Sequence, residues 1–508
     1  MDELVFNIHK KRFIGAKTLW ISLRRWVNHN QHIMKLAAKQ TAYKRNVMAE
    51  SFEGKSSHVS ANQAAVPSYA TDITHRYPTF RDEPFKTVHN WLDGKRYDDG
   101  AEGLWRINDD LYDLEDFAHT HPGGAEWIQL TKGTDITEAF ETHHISRRAE
   151  LMLPKFYVRR ATQPRNCRLT FHEHGFYRTL KQRIREQLGR VNPAPKVRSR
   201  QIVDGLIVCV MLTAYLAVRL ESFAIGIVCA ICVNATVIAA HNFLHQRDNW
   251  RMYAFNIAFL SYREWRVSHA ISHHLFPNSV LDMEISSFEP FLCYLPWADL
   301  KNSFQRYGSW FYGPFIYGSI FLSEYLKRLM DSFSQGKNRF HLDDLIPFLL
   351  PAFMYATNPE RIGVIFQLWL FVVLMASFFF GLIGLSAGHH HPKALHSGDL
   401  FPNDMDFGLY QMATIVERRG VEGSLLKVLT TFGDHYLHHL FPTLDHAILP
   451  QLNDVFLATC EEFGAGKRLS SWFSQYIAQN LQLARVQPKQ YQPEMMANRG
   501  KTKHNQRA

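Results

Sequence analysis

Histidine is the residue whose number and spacing first suggest chemistry here. The chain of 508 residues carries 27 His, and eight of them fall into three short clusters. His241-Asn-Phe-Leu-His245 has i,i+4 spacing, His269-Ala-Ile-Ser-His273-His274 has i,i+4,i+5, and His435-Tyr-Leu-His438-His439 has i,i+3,i+4. On a helix such spacings put ring nitrogens on one face, a turn apart, close enough to share a metal. One such pair is ordinarily a surface or core pair; three clusters together outweigh that bland reading. Imidazole-rich sites suit iron, zinc or copper. Zinc needs only four ligands, so eight neutral donors favour two irons. Ser268 and Asp434, each beside a cluster, could cap or orient it.

A second constellation sits nearer the start. Residues 101–145 hold ten acidic residues against Arg106 and Lys132, within a chain of net charge +10. There Leu104–Ile107 and Leu111–Leu114 predict two short strands around the Asn108-Asp109-Asp110 turn, and Phe156-Tyr157-Val158 a closing strand. Between them come His121-Pro122-Gly123-Gly124, a helical Glu126–Leu130 stretch, and Thr134–Phe140 leading to His143-His144. Two histidines on opposite sides of a small pocket can hold a haem iron. Pro122 and the glycines let the chain turn sharply beside His121. The partner of His121 is His144 or the competing His143. Bis-histidine ligation leaves no open iron position, so such a unit carries electrons.

The elements that must position these histidines are apolar. Runs at 203–220, 222–241, about 343–357 and 361–387 predict about four membrane spans in two hairpins. That parity puts the 242–342 loop, the tail and residues 1–200 on one face. Trp310–Ser323 is expected at the interface, where aromatic residues are favoured. Lys and Arg gather beside the first run, as cytosolic loops do, and no nucleic-acid motif accompanies the basic charge. Six cysteines exclude a disulfide scaffold, and Cys229-x-x-Cys232 reads as helix filler. Asp2 and Glu3, with no long apolar core after them, exclude a secretory signal. Ile14–Trp26 is a candidate amphipathic helix on a membrane surface.

Residues 77–160 resemble the cytochrome b5 haem-binding domain, through Trp105, His121-Pro-Gly-Gly, Asp135-Ile-Thr-Glu-Ala-Phe140 and His144. The three clusters resemble the histidine boxes of membrane fatty acid desaturases. Residues 77–460 together are similar to the cytochrome b5-fused desaturase family and, within it, to the insect cytochrome b5-related group. The resemblance implies an α+β haem domain followed by an all-α transmembrane domain with a cytosolic histidine-box cap. It implies haem b on His121 and His144. It also implies two non-haem iron ions on His241, His245, His269, His273, His274, His435, His438 and His439. The family places a further site residue after the last span; alignment on Pro392 selects His390 from His389-His390-His391. His396 and His446 lie outside the motifs and are expected to be structural or solvated. Asn242 stands where fused desaturases commonly have Asp, and His435 where front-end desaturases usually have Gln.

The segments expected are a leader and linker at 1–76, the haem domain at 77–160, a basic linker at 161–200, the membrane domain at 201–460 and a basic tail at 461–508. The implied function is O2-dependent desaturation of an acyl-lipid or acyl-CoA in the endoplasmic reticulum bilayer. Electrons would come from an NADH-cytochrome b5 reductase-type donor, steered by Asp109, Asp110, Asp113, Glu115, Asp116, Glu138 and Glu141. The alternatives are a fatty acyl or sphingolipid hydroxylase, and an inactive b5-type electron-transfer protein. Trp265 and Phe378-Phe379-Phe380 are candidate walls for an acyl tunnel.

Overall fold

The computed structural model describes residues 68–83, 85–334 and 340–491. The Ile14–Trp26 segment, most of the leader and residues 492–508 lie outside these. In the haem-type domain, β1 (Trp105–Ile107), β2 (Asp110–Tyr112) and β3 (Tyr157–Arg160) form an antiparallel sheet in that order. Asn108 makes the β1–β2 turn at φ +55, a conformation that asparagine tolerates. Helix α1 (Val88–Asp98) buries Val88, Trp91 and Leu92 in the core shared with the histidine-box region, whereas α2 (Ala125–Leu130) and α3 (Thr137–His143) pack on the sheet. Trp105, Ile107, Ile128, Ile136 and Phe140 share its core. The Trp105 indole N–H donates to Ile128 O at 2.9 Å, fastening α2 to the sheet.

The stretch 161–200, expected as a linker, is mostly built structure. Helix α4 (Phe176–Leu188) buries Phe176, Tyr177, Leu180 and Ile184, which fall on one face between basic residues. Its Lys181 and Arg178 reach Glu141 of the haem domain at 2.8 and 2.6 Å. Helix α5 then starts at Pro195, within the same stretch, with proline suited to a first turn.

Among the described residues, three helices are long and apolar enough to cross a membrane: α5 (Pro195–Arg219), α6 (Phe223–Leu244) and Pro359–Gly384. Ser222 caps α6, its hydroxyl accepting from Ile225 N–H. The expected span near 343–357 is instead a 3-10 turn, Leu342–Phe348, and the nine-residue Leu349–Thr357 helix. Nine residues rise about 14 Å, against roughly 30 Å of hydrocarbon. Trp310–Ser323, expected at the interface, belongs to the 26-residue helix α7 (Ser309–Ser334). This helix packs along α8 (Ile362–Gly384): the Ser377 hydroxyl donates to Tyr317 O at 2.6 Å and accepts from Phe321 N–H at 3.2 Å.

The expected tail from 461 is also structured as far as 491. Leu469–Ser470 pairs in parallel with Glu417–Arg418, and helix α10 (Trp472–Ala484) follows a third histidine-bearing helix, α9 (His435–Leu440). Tyr491 N–H bonds Leu400 O at 2.7 Å. A hydrophobic-pattern reading passes over α10 because its buried side is made of glutamines. All six cysteines are free, with Cys229 and Cys232 on α6.

Candidate metal centre and haem pocket

The three boxes meet at the C-terminal end of α6, buried throughout. His241 and His245, one turn apart at the end of α6, lie with Nε2 atoms 2.9 Å apart. The second box is wound as a π-helix, Arg266–His273, in which His274 N–H bonds His269 O at 2.8 Å. That winding aligns His269 with His274 (i,i+5), their Nε2 atoms 3.0 Å apart, rather than with His273. The α9 helix divides its own box. His438 approaches His241 at 3.3 Å, whereas His435 and His439 turn the other way.

Two groups result. His241, His245, His269, His274 and His438 form the first; His273, His389 and His439 form the second. His435 joins the second through a 2.7 Å Nε2–Nε2 approach to His389, which lies 3.0 Å from His439. The histidine after the last span that enters the site is therefore His389. His390, selected from the sequence, stacks flat on Tyr294 with ring centres 3.7 Å apart. The turn at Gly388, φ +154, aims the first of the three rings inward.

Nitrogens gathered at about 3 Å are the spacing that adjacent ligands on one ion at roughly 2.1 Å would adopt. A neutral imidazole has one N–H, so the rings cannot satisfy each other's lone pairs, and a cation among them can. Burial, reinforced by neighbouring rings, holds His269, His274, His389, His438 and His439 well below the usual histidine range, in the ligating form. His273 differs: burial opposes its charge, but Glu284 and Asp282 outweigh that and push it up to about 9. Its Nδ1 lies 3.0 Å from Asp282 Oδ2, and His269 Nδ1 lies 2.6 Å from Glu284 Oε1. Such carboxylates orient a ligating ring and raise its basicity.

Several of these supports escaped the sequence reading. Glu284, Asp282, Gln411 (3.2 Å from His439 Nδ1) and Glu417 lie outside the boxes. Glu417 accepts the His435 N–H at 2.6 Å, the cap expected of Asp434, which makes no cap bond. The D-M-E run after the second box was the one legible signal. Asn242 finds its reason in His446 and Asp445. Its Oδ1 accepts from His446 Nδ1 at 2.8 Å, and its amide donates to Asp445 Oδ2 at 3.2 Å. An aspartate there would face Asp445 with like charge. His446 is thus buried and structural, its ring packed against His438 at 4.3 Å. His396 is buried too, bonded to Ala394 O.

In the other pocket the rings of His121 and His144 oppose each other with centres 6.0 Å apart. Two imidazoles on opposite sides of one iron, at about 2 Å per bond, place their centres roughly 6 Å apart. His121 Nδ1 bonds Gly124 O at 2.9 Å and His144 Nδ1 bonds Phe140 O at 3.0 Å, leaving Nε2 of each to ligate. Phe117, Phe140 and Phe156 furnish apolar walls. Gly123 is required by close approach, since a Cβ there would lie 2.9 Å from the His121 ring. His143 instead packs on Trp127 at 5.7 Å.

The two sites are docked through named charges. Glu126 of α2 bonds Arg263 at 2.8 Å and Arg266 at 2.5 Å, and the Arg266 guanidinium lies 4.8 Å from the Trp127 ring. Arg266 opens the π-helix that carries His269 and His273. Of the acids expected to steer a donor, Glu138 and Glu141 are buried in pairs with Arg165 and with Arg178 and Lys181. Asp109, Asp113, Glu115 and Asp116 remain exposed.

A cavity open towards the surface reaches both histidine groups. Trp265, Phe288, Ile320 and Phe380 line it, ending on His269, His273, His389 and His435, with Glu324 and Lys327 along its length. Trp265 and Phe380 of the expected wall residues line it; Phe378 and Phe379 do not.

Comparison with known proteins gives two family matches: Fatty acid desaturase over residues 221–470, and Cytochrome b5-like Heme/Steroid binding domain over residues 89–162. A cytochrome b5-related protein of Drosophila melanogaster is 44% identical over 418 residues, covering 82% of this chain and 96% of that protein. Its namesake in Drosophila virilis is 53% identical over 134 residues, covering 26% and 93%. A probable Delta(5) fatty acid desaturase C of Dictyostelium discoideum is 24% identical, over 75% of this chain and 90% of its own length. No solved structure matches.

Proposed function

The chain belongs to the family in which a cytochrome b5-like haem domain is joined to a fatty acid desaturase domain, and from that premise we propose an O2-dependent acyl-lipid desaturase of the endoplasmic reticulum membrane. The observation that carries the reading is the sorting of three separated boxes, plus His389, into two adjacent buried histidine groups beside a cavity with apolar walls at Trp265, Phe288, Ile320 and Phe380. His241, His245, His269, His274 and His438 would hold one iron; His273, His389, His435 and His439 would hold the other. His121 and His144 would hold haem b.

Loaded, the irons would supply O2 activation and hydrogen abstraction from an unreactive acyl CH2 pair, and the haem one-electron delivery. The chain's own part is placement. Trp265, Phe288, Ile320 and Phe380 exclude water and align an extended chain so that one CH2 pair stops at the histidines. Glu284 and Asp282 hold the His269 and His273 rings by their Nδ1 atoms. Glu126, through Arg263 and Arg266, keeps the haem domain against the π-helix, so electron delivery needs no dissociating carrier. The exposed acids Asp109, Asp113, Glu115 and Asp116 offer a basic reductase its landing surface.

The test is non-haem iron per haem in the purified full chain, with a His273→Ala/His438→Ala double mutant beside it. About two irons per haem, lost in the mutant while the haem spectrum persists, supports the reading and directs the search to unsaturated lipid products. A hydroxylated product would move the chain to the hydroxylase alternative. Haem without other iron, under iron-replete expression, would leave an electron carrier on a desaturase scaffold.

A further inference from the structure

Helix α10 is amphipathic in the opposite sense to a helix on a watery surface. Gln475, Ala478, Gln479, Asn480, Gln482 and Leu483 are buried, whereas Trp472, Phe473 and Leu481 are 41%, 74% and 53% exposed. The inward glutamine side chains each donate through Nε2. Gln475 donates to Val416 O, Gln479 to the Tyr294 and Tyr317 hydroxyls at 2.8 and 2.9 Å, and Gln482 to Tyr294 O at 2.6 Å. The helix is therefore specifically seated with its apolar side out.

That side continues onto neighbouring elements. Arg306, in the short Ser303–Tyr307 helix, donates to Ala484 O at 3.1 Å, Ser309 meets Asn480 at 3.4 Å, and Trp310 packs edge-on to Tyr476. Phe304, Phe311 and Phe315 are each about two-thirds exposed or more. They carry the apolar surface along α7, which packs on α8, the core of a candidate span. A contiguous apolar patch of this kind marks an interaction surface, and continuity with a spanning helix selects its occupant.

We propose that α10, the Ser303–Tyr307 helix and the start of α7 form a monotopic platform embedded in one leaflet of the lipid bilayer. Phe473, Leu481 and Phe311 enter the acyl region, with Trp472 and Trp310 at headgroup level. The platform also sets the depth of the metal centre. Gln475 holds Val416, the neighbouring Glu417 caps the helix of His435, and the Arg418 guanidinium lies 4.1 Å from the Trp472 ring. The inference rests on the membrane-spanning reading above and extends it to a segment with no span of its own.

The test places the photoreactive residue benzoylphenylalanine at position 473 of the full chain, reconstituted into phosphatidylcholine nanodiscs. The same probe at Val208, exposed on α5, reports the spanning reading, and at Tyr97, exposed on the haem domain, reports water. Lipid adducts at 473 within about twofold of those at 208, and at least tenfold above those at 97, are expected. Adducts at 208 but none at 473 would overturn the platform alone, as would a chain-to-chain cross-link from 473. No adduct at either position would overturn the spanning reading and the platform with it. Retained haem absorption checks that each variant is folded.

Discussion

At the scale of single residues, neighbouring histidines in one run have been given different work. His389 closes on His435 and His439, while His390 lies flat on Tyr294. His389→Ala is expected to lower non-haem iron from about two per haem to about one, and His390→Ala to leave it unchanged, as read by elemental analysis. His143 and His144 differ in the same way, because only His144 opposes His121. Burial draws both down to about 4, so protonation state does not separate them; direction does. His144→Ala should abolish the six-coordinate low-spin haem spectrum, whereas His143→Phe should preserve it. Which of two adjacent rings faces a pocket depends on a backbone turn, which neighbouring identical letters do not encode.

At the scale of elements, the π-helix and α4 carry the most consequence. The π winding aligns His269 with His274 and sends His273 to the other group, where α-helical winding of the same i,i+4,i+5 spacing would align His269 with His273. Helix α4 binds the haem domain to the membrane part through Glu141, whose carboxyl burial disfavours but Lys181 and Arg178 hold below the usual range. The sign follows from that direction. The pair's stabilisation is complete above the unfolded carboxylate value, about 4.3, and is lost as pH falls through the lowered folded value. Glu141→Gln should destabilise the fold by about 3 kcal/mol at neutral pH, by leaving the buried Lys181 with only its longer 3.6 Å pair to Glu150. That difference should shrink as the pH of the unfolding measurement is brought down towards 3. The sequence suggested a linker here because four apolar positions among many basic ones make a weak signal until something is seen to cover them.

At the scale of the whole molecule, the haem domain is docked directly against the histidine-box region. Glu126 supplies both of its close ion pairs to Arg263 and Arg266, beside the cation–π contact with Trp127. Glu126→Arg is expected to slow reoxidation of the reduced haem at least tenfold with the haem spectrum unchanged, and adding Arg263→Glu to recover part of it, in stopped-flow absorbance. By itself the sequence determined the two domain types, the positions of the three histidine boxes, His121 with a partner at 143 or 144, and the apolar helices α5, α6 and α8. Those features rest on residue type and short-range periodicity, which are local. Tertiary structure alone decided how the boxes divide between two groups, that His389 is the ninth member, and that Glu284, Asp282 and Glu417 support them. It also decided that the stretch after residue 461 folds back as an inside-out helix. Each of these depends on which side chains meet across long separations, and on hydrogen bonds that bury glutamine as readily as leucine. Periodicity along one segment carries no record of its partner.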